Sequence, residues 1–120
     1  MPEIPKRLKR LLRTCAEEAH EEELRRALEP LAEAFDRWKH GDIASSDLSN
    51  LIHKFHQGPT RKLFLKYDTN HLEAPVAHAI VTGVLDKDKI SPELLEHLAK
   101  WLNFYEGLEA AANTDADRAR

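Results

Sequence analysis

Ala19-His20-Glu21-Glu22-Glu23-Leu24 is the stretch whose reading decides the fold. Upstream of it, Ile4, Leu8, Leu11, Leu12, Cys15 and Ala19 recur at the three- and four-residue spacing of a helix and form one apolar stripe. Downstream, Leu24, Leu28, Leu31, Phe35 and Trp38 form a second stripe, alternating strictly by four and three. At about 100° per residue, the second stripe is rotated by well over a quarter turn from the first. No Gly, Pro or Asn lies between Thr14 and Glu29 to end a helix. Either a helix stops unannounced near Glu21, or one continuous helix shows apolar faces to two different partners. The missing breaker favours the continuous helix. Its first stripe is then expected to pack on another chain, so self-association through the N-terminal helix, as a homodimer, is the expectation. The second stripe covers about two heptads, fewer than the roughly three or four of a sustained coiled coil, so it reads as an ordinary packing face.

Pro30 sits inside that stripe. Proline removes a hydrogen bond and crowds the preceding turn, so it kinks the helix or starts a new one at its tolerated first position. Gly41 ends the segment. Ser45 or Ser46 caps the next helix, with Asp47 in its first turn and Leu48, Leu51, Ile52 and Phe55 on its buried face. Gly58 is expected to stop it, and Pro59 to begin a short helix through Tyr67. Residues 75–85 are apolar almost all round, which predicts a central buried helix, with Gly83 inside it allowing close approach of a neighbour. Ser91-Pro92-Glu93 supplies a cap, a first-position proline and a first-turn acid for a last amphipathic helix. Strand signals are nearly absent. The expectation is an all-α, single-domain bundle of about five helices over residues 1–110, with a long N-terminal helix, a central apolar helix near 75–85 and a disordered tail at 111–120.

The totals agree. At 120 residues, one domain with its own core is the default. A net charge of −3 argues against a dedicated nucleic-acid binder. The charge is uneven, however. Lys6, Arg7, Lys9, Arg10 and Arg13 precede Glu17, Glu18, Glu21, Glu22 and Glu23, an order that opposes the helix dipole. Cys15 is the only cysteine, so neither an intrachain disulfide nor a thiolate zinc cluster can form. No apolar run reaches the roughly 20 residues of a membrane span, and the basic N-terminal patch lacks a secretory h-region. A cytoplasmic protein without membrane contact is expected.

The chemically suggestive segment is Ile52-His53-Lys54-Phe55-His56-Gln57-Gly58-Pro59-Thr60-Arg61. His53 and His56 stand at i and i+3, on one helix face beside the apolar stripe. Imidazoles titrate near neutral pH and bind transition metals, so the pair suits proton transfer or metal ligation. Two ligands fall short of the three a catalytic zinc needs, and no HExxH motif occurs. Glu17-x-x-His20 has the spacing of di-iron bundles but occurs once, where two copies are required. His71 and His78 are further candidates for a third ligand, and His97 reads as structural. A helix starting at Pro59 would expose N–H groups to an anion, with Gly58, Thr60, Arg61 and Lys62 around it and Arg61 suited to a phosphate or carboxylate. A plain joint between two helices, with Arg61 paired to Asp68 or Glu73, explains the same residues.

Three functions remain. The first is an interaction module, homodimeric or an adaptor. The second is metal or small-anion binding, extending to catalysis, at His53, His56 and Arg61. The third is nucleic-acid binding through the basic helix or a helix–turn–helix offering Thr60, Arg61, Lys62 and Lys66. The sequence leaves the cofactor unknown. The interaction module is the leading expectation.

Overall fold

The computed structural model describes the backbone of residues 4–118 and side chains to residue 113. Every described element is helical, so the fold is all-α. The order is α1 (Lys6–Lys39), α2 (Ser45–Phe55), a π turn (His56–Thr60), α3 (Arg61–Tyr67), α4 (Glu73–Val81), a 3-10 turn (Lys87–Lys89), α5 (Pro92–His97) and α6 (Ala99–Arg118). Helix α6 continues into the segment where the sequence suggested a tail. The contacts gather into two compact units, residues 20–69 and the remainder. The boundary at Ala19/His20 falls where the apolar stripe changes phase, inside a helix that runs unbroken from Lys6 to Lys39. It also runs through Pro30, which therefore neither ends it nor starts a new one.

The unit built from the first half of α1 with α4, α5 and α6 has a closed core. Leu8, Leu12, Cys15, Ala16 and Ala19 are buried, with Val76, Ala77, Ala79 and Ile80 of α4 and Leu94, Leu98 and Leu102 beyond. The first stripe was expected to wait for another chain. It is instead buried within the chain itself, in the unit that also holds the apolar helix α4. Arg7 ties α1 to α5 through Glu93 at 2.6 Å. Burial pushes the Cys15 thiol up, with nearby Glu18 adding to the effect, so it is a poor nucleophile.

Gly83 has a different role from the one its position suggested. It follows the end of α4 with φ +79°, and added side-chain bulk there would meet nothing within 4 Å. Val84 N–H donates to the Ala79 carbonyl at 2.9 Å and Gly83 N–H to that of Ile80 at 3.2 Å. This is the Schellman arrangement, and it needs a left-handed residue at Gly83. Gly41 does the same for α1, with φ +79°, Asp42 N–H donating to Arg37 at 2.8 Å and Gly41 N–H to Trp38 at 3.0 Å.

Residues 20–69 form a helical hairpin. The second half of α1 turns at Gly41 and returns as α2, the π turn and α3. Two tethers fix the antiparallel register. Near the turn, Trp38 Nε1 donates to Ser45 Oγ at 3.0 Å. At the open end, Glu23 accepts from Lys66 Nζ at 3.0 Å and from the Tyr67 hydroxyl at 2.6 Å. Ser45 is therefore occupied by the indole rather than by capping α2. Asp47 instead reaches back to accept from Ala44 N–H at 2.9 Å.

Gly58-Pro59 does not separate two helices. The backbone stays in the right-handed helical region from Phe55 to Arg61, and the junction is a π turn. An i→i+5 hydrogen-bond pattern passes over the N–H that Pro59 lacks and inserts one extra residue into the rod. The insertion corrects a phase error in the apolar pattern. Phe55 and Leu63 are eight apart, one more than two α-helical turns. With the extra residue, Leu63 and Tyr67 continue the face of Leu48 and Phe55. Deleting Gly58 should turn Leu63 and Tyr67 away by about 100° and reduce unfolding free energy by roughly 2–4 kcal/mol. A urea titration with an unchanged midpoint would show that the insertion sets no register.

Candidate functional site

The continuous rod places the suspected site residues on an open surface. His53 and His56 are both exposed, one turn apart. His56, Gln57, Thr60, Arg61 and Phe64 line a shallow depression of about 330 Å³ with mostly apolar walls. His53, Gly58 and Lys62 do not line it. The structure thus brings His56, Thr60 and Arg61 together and leaves the rest of the suspected set outside. The anion reading rested on free N–H groups at a helix start, and the helix has no start there. The helix–turn–helix reading likewise loses its turn, and Lys66 is bound to Glu23. Among the described residues, no group of three His, Cys, Asp or Glu side chains is placed to hold a metal ion.

The other histidines lie elsewhere. His20 stacks on Tyr67 with ring centroids 5.4 Å apart. His78 meets Tyr105 edge-on at 5.0 Å. His97 Nε2 lies 3.7 Å from Glu73 Oε1, too long for a hydrogen bond. His71 and His78 belong to the unit outside residues 20–69.

Glu23, Lys66 and Tyr67 are the most tightly organised polar group of the hairpin, and inspection of the sequence missed them. They are 43 and 44 residues apart in sequence. Only the one-residue insertion brings Tyr67 to the inner face. The Glu23 carboxylate is mostly covered, and its second oxygen also lies 3.2 Å from Lys66 Nζ. Burial, with the Glu23 hydrogen bond and charge adding to it, holds the Tyr67 phenol far above its ordinary value. Tyr67 is therefore a fixed donor and not a base. On the exposed side of α1, hydrogen bonds from Arg25 and Arg26 pull Glu22 down to about 2.

The hairpin's second notable feature is apolar. Only Ala34 and Leu48 are buried in it, whereas Leu28, Phe35, Trp38, Leu51, Ile52, Phe64 and Leu65 are between 37% and 58% exposed. On α1, Leu28 and Phe35 lie roughly 100–120° round from Ala34. On α2, Ile52 lies about 40° round from Leu48 in the same sense. In antiparallel helices, rotations of like sign lead to the same side of the pair, so these residues share one side. Phe64, one residue after inward-facing Leu63, extends it. Trp101, Phe104 and Leu108 are also exposed, along α6 of the other unit. They lie on a helix whose Leu102 is already buried in a closed core.

Comparison with protein-family models, curated proteins and solved structures found no match. Among the described residues, no helix is long and apolar enough to cross a membrane.

The Tyr67–Glu23 bond gives a signed pH prediction. A raised phenol value stabilises the fold fully below the ordinary tyrosine range near pH 10, and that contribution is lost as pH rises above it. Tyr67→Phe should cost about 1–2 kcal/mol at neutral pH and remove this part of the alkaline fall in stability. If stability curves of the two proteins stay parallel above pH 10, the bond is not made in solution.

Proposed function

We propose that this chain is an interaction module that self-associates through the second half of its N-terminal helix and the rod beside it. The observation that supports the reading is the exposed apolar side of the hairpin. Leu28, Phe35, Trp38, Ile52 and Phe64 together leave on the order of 400 Å² of apolar surface in solvent, within the range of the largest patch on a typical monomer, which is often functional. The hairpin geometry is set by Glu23–Tyr67 and Trp38–Ser45, which leave Leu28, Phe35, Ile52 and Phe64 without a role in fixing it. The Leu8 stripe is covered, so on this reading association falls to Leu28 and Phe35 on the same helix.

The alternative reading, a small phosphate or carboxylate held by His56, Thr60 and Arg61, draws on the same depression. Its mostly apolar walls suit a hydrocarbon side chain better than an anion. A cytoplasmic setting fits the buried, unpaired Cys15.

Light scattering during size exclusion should give twice the 13.8 kDa chain mass. Leu28→Glu combined with Ile52→Glu should return the mass to one chain while the helical circular dichroism stays unchanged, since both side chains are already about 40% exposed. A single-chain mass for the unaltered protein at its highest soluble concentration would contradict the proposal.

A further inference from the structure

The first half of α1 carries a charged ridge that neither its own core nor the hairpin uses. Lys6, Lys9, Arg10 and Arg13 are all exposed and line one depression of about 220 Å³. By helical periodicity they lie on the side of α1 away from buried Leu8, Leu12 and Cys15. We propose that this depression binds a compact polyphosphate, a chain of two or three linked phosphate groups, free in solution or at the end of a nucleotide. The site belongs to the unit built on the first half of α1 and does not depend on how the hairpin associates.

Charge and spacing carry the argument. Lys6 neighbours Lys9 and Arg10 at three and four residues, and Arg13 neighbours the same two at four and three. Each of these contacts sets like charges one helical turn apart, which destabilises a helix. The first turn of α1 holds no acid, so the helix dipole is opposed as well. Other cations of the same helix are neutralised. Glu22 binds Arg25 and Arg26, Glu29 binds Arg25, and Arg7, off the ridge, is paired with Glu93. Among the described residues, no carboxylate pairs with Lys6, Lys9, Arg10 or Arg13. An anion seated between them replaces mutual repulsion with attraction to a common centre.

Dimensions select the kind of anion. From Lys6 to Arg13 the ridge covers about 10 Å of helix. One turn further on, the same ridge carries exposed Glu17, which ends the cationic stretch. A single phosphate, at about −2, balances only part of the four cations. Two or three linked phosphates balance the set within that length. Arg10 and Arg13 suit paired phosphate oxygens, and Lys6 and Lys9 act as point charges. An extended polyanion is a poorer match. Strong duplex binding draws on about six to ten phosphate contacts, and the chain has a net charge of −3 with these cations included. A long strand or a flat anionic bilayer therefore meets Glu17 and a repulsive remainder. A bilayer also finds no apolar face to take up, since Leu8 and Leu12 are in the core.

Calorimetric titration of the full chain with sodium triphosphate at low ionic strength tests the site. The proposal expects one triphosphate per chain, bound roughly tenfold more tightly than inorganic phosphate and more weakly as salt is added. ATP, which carries the same three phosphates, should match triphosphate. Arg10→Gln combined with Arg13→Gln should weaken triphosphate binding by roughly tenfold or more. The same pair of changes should raise the thermal unfolding midpoint slightly, because like-charge repulsion is removed. Lys9→Gln alone should weaken binding several-fold, and Arg25→Gln, in the other unit, should leave it unchanged. Triphosphate bound no better than phosphate overturns the proposal. So does an equal loss in Arg25→Gln, which would mark net charge alone, or ATP bound far more tightly than triphosphate. A chain that ignores triphosphate but binds a DNA duplex or phosphatidylserine vesicles overturns it in favour of a macromolecular polyanion.

Discussion

A change of phase in one uninterrupted helix governs this molecule. Between Ala19 and Leu24 the apolar stripe of α1 moves round the helix, and nothing there allows the chain to bend and follow it. A continuous helix can satisfy such a sequence only by burying one side along its first half and another along its second. The two compact units follow directly, with their boundary inside α1. The acidic run sits at the changeover, where the helix passes from one core to the other. Glu22, bound by Arg25 and Arg26, shows that its charges are handled locally.

The two halves of α1 meet different fates because their neighbours differ. The first half is buried in a unit that also holds α4, short but apolar on nearly every side, where Val76, Leu94 and Leu98 are fully buried. The second half finds a single rod. Two helices touch along one line, so only Ala34 and Leu48 disappear from solvent and larger residues remain on the flanks. The hairpin is therefore held less by burial than by directional contacts. These are a Schellman turn and an indole–hydroxyl bond at one end, and a shielded carboxylate bound by an ammonium and a phenol at the other. Such contacts hold the two helices of the hairpin in one register.

Much of this was legible in the residues. The unbroken α1, the stop at Gly41, the start at Ser91-Pro92-Glu93 and the apolar α4 all rest on local rules of spacing and capping, and all are present. What escaped was set by the third dimension. Gly58-Pro59 has the composition of a break, yet the eight-residue step from Phe55 to Leu63 identifies an inserted residue, and packing against α1 rewards that register. Gly83 was read by its neighbours' hydrophobicity when its backbone angle was the deciding property. Glu23 and Tyr67 are joined only through the fold. His56, Thr60 and Arg61 do share one depression, but without the free helix start that made them an anion site.

The central claim is that the second face of α1 is completed by another copy of the chain. Amide hydrogen exchange followed at two widely separated protein concentrations tests it most directly. The account predicts that protection across residues 28–38 and 52–64 rises with concentration, while α4 and the first half of α1, closed within their own unit, exchange at the same rate throughout. Protection in the hairpin that is independent of concentration would contradict it.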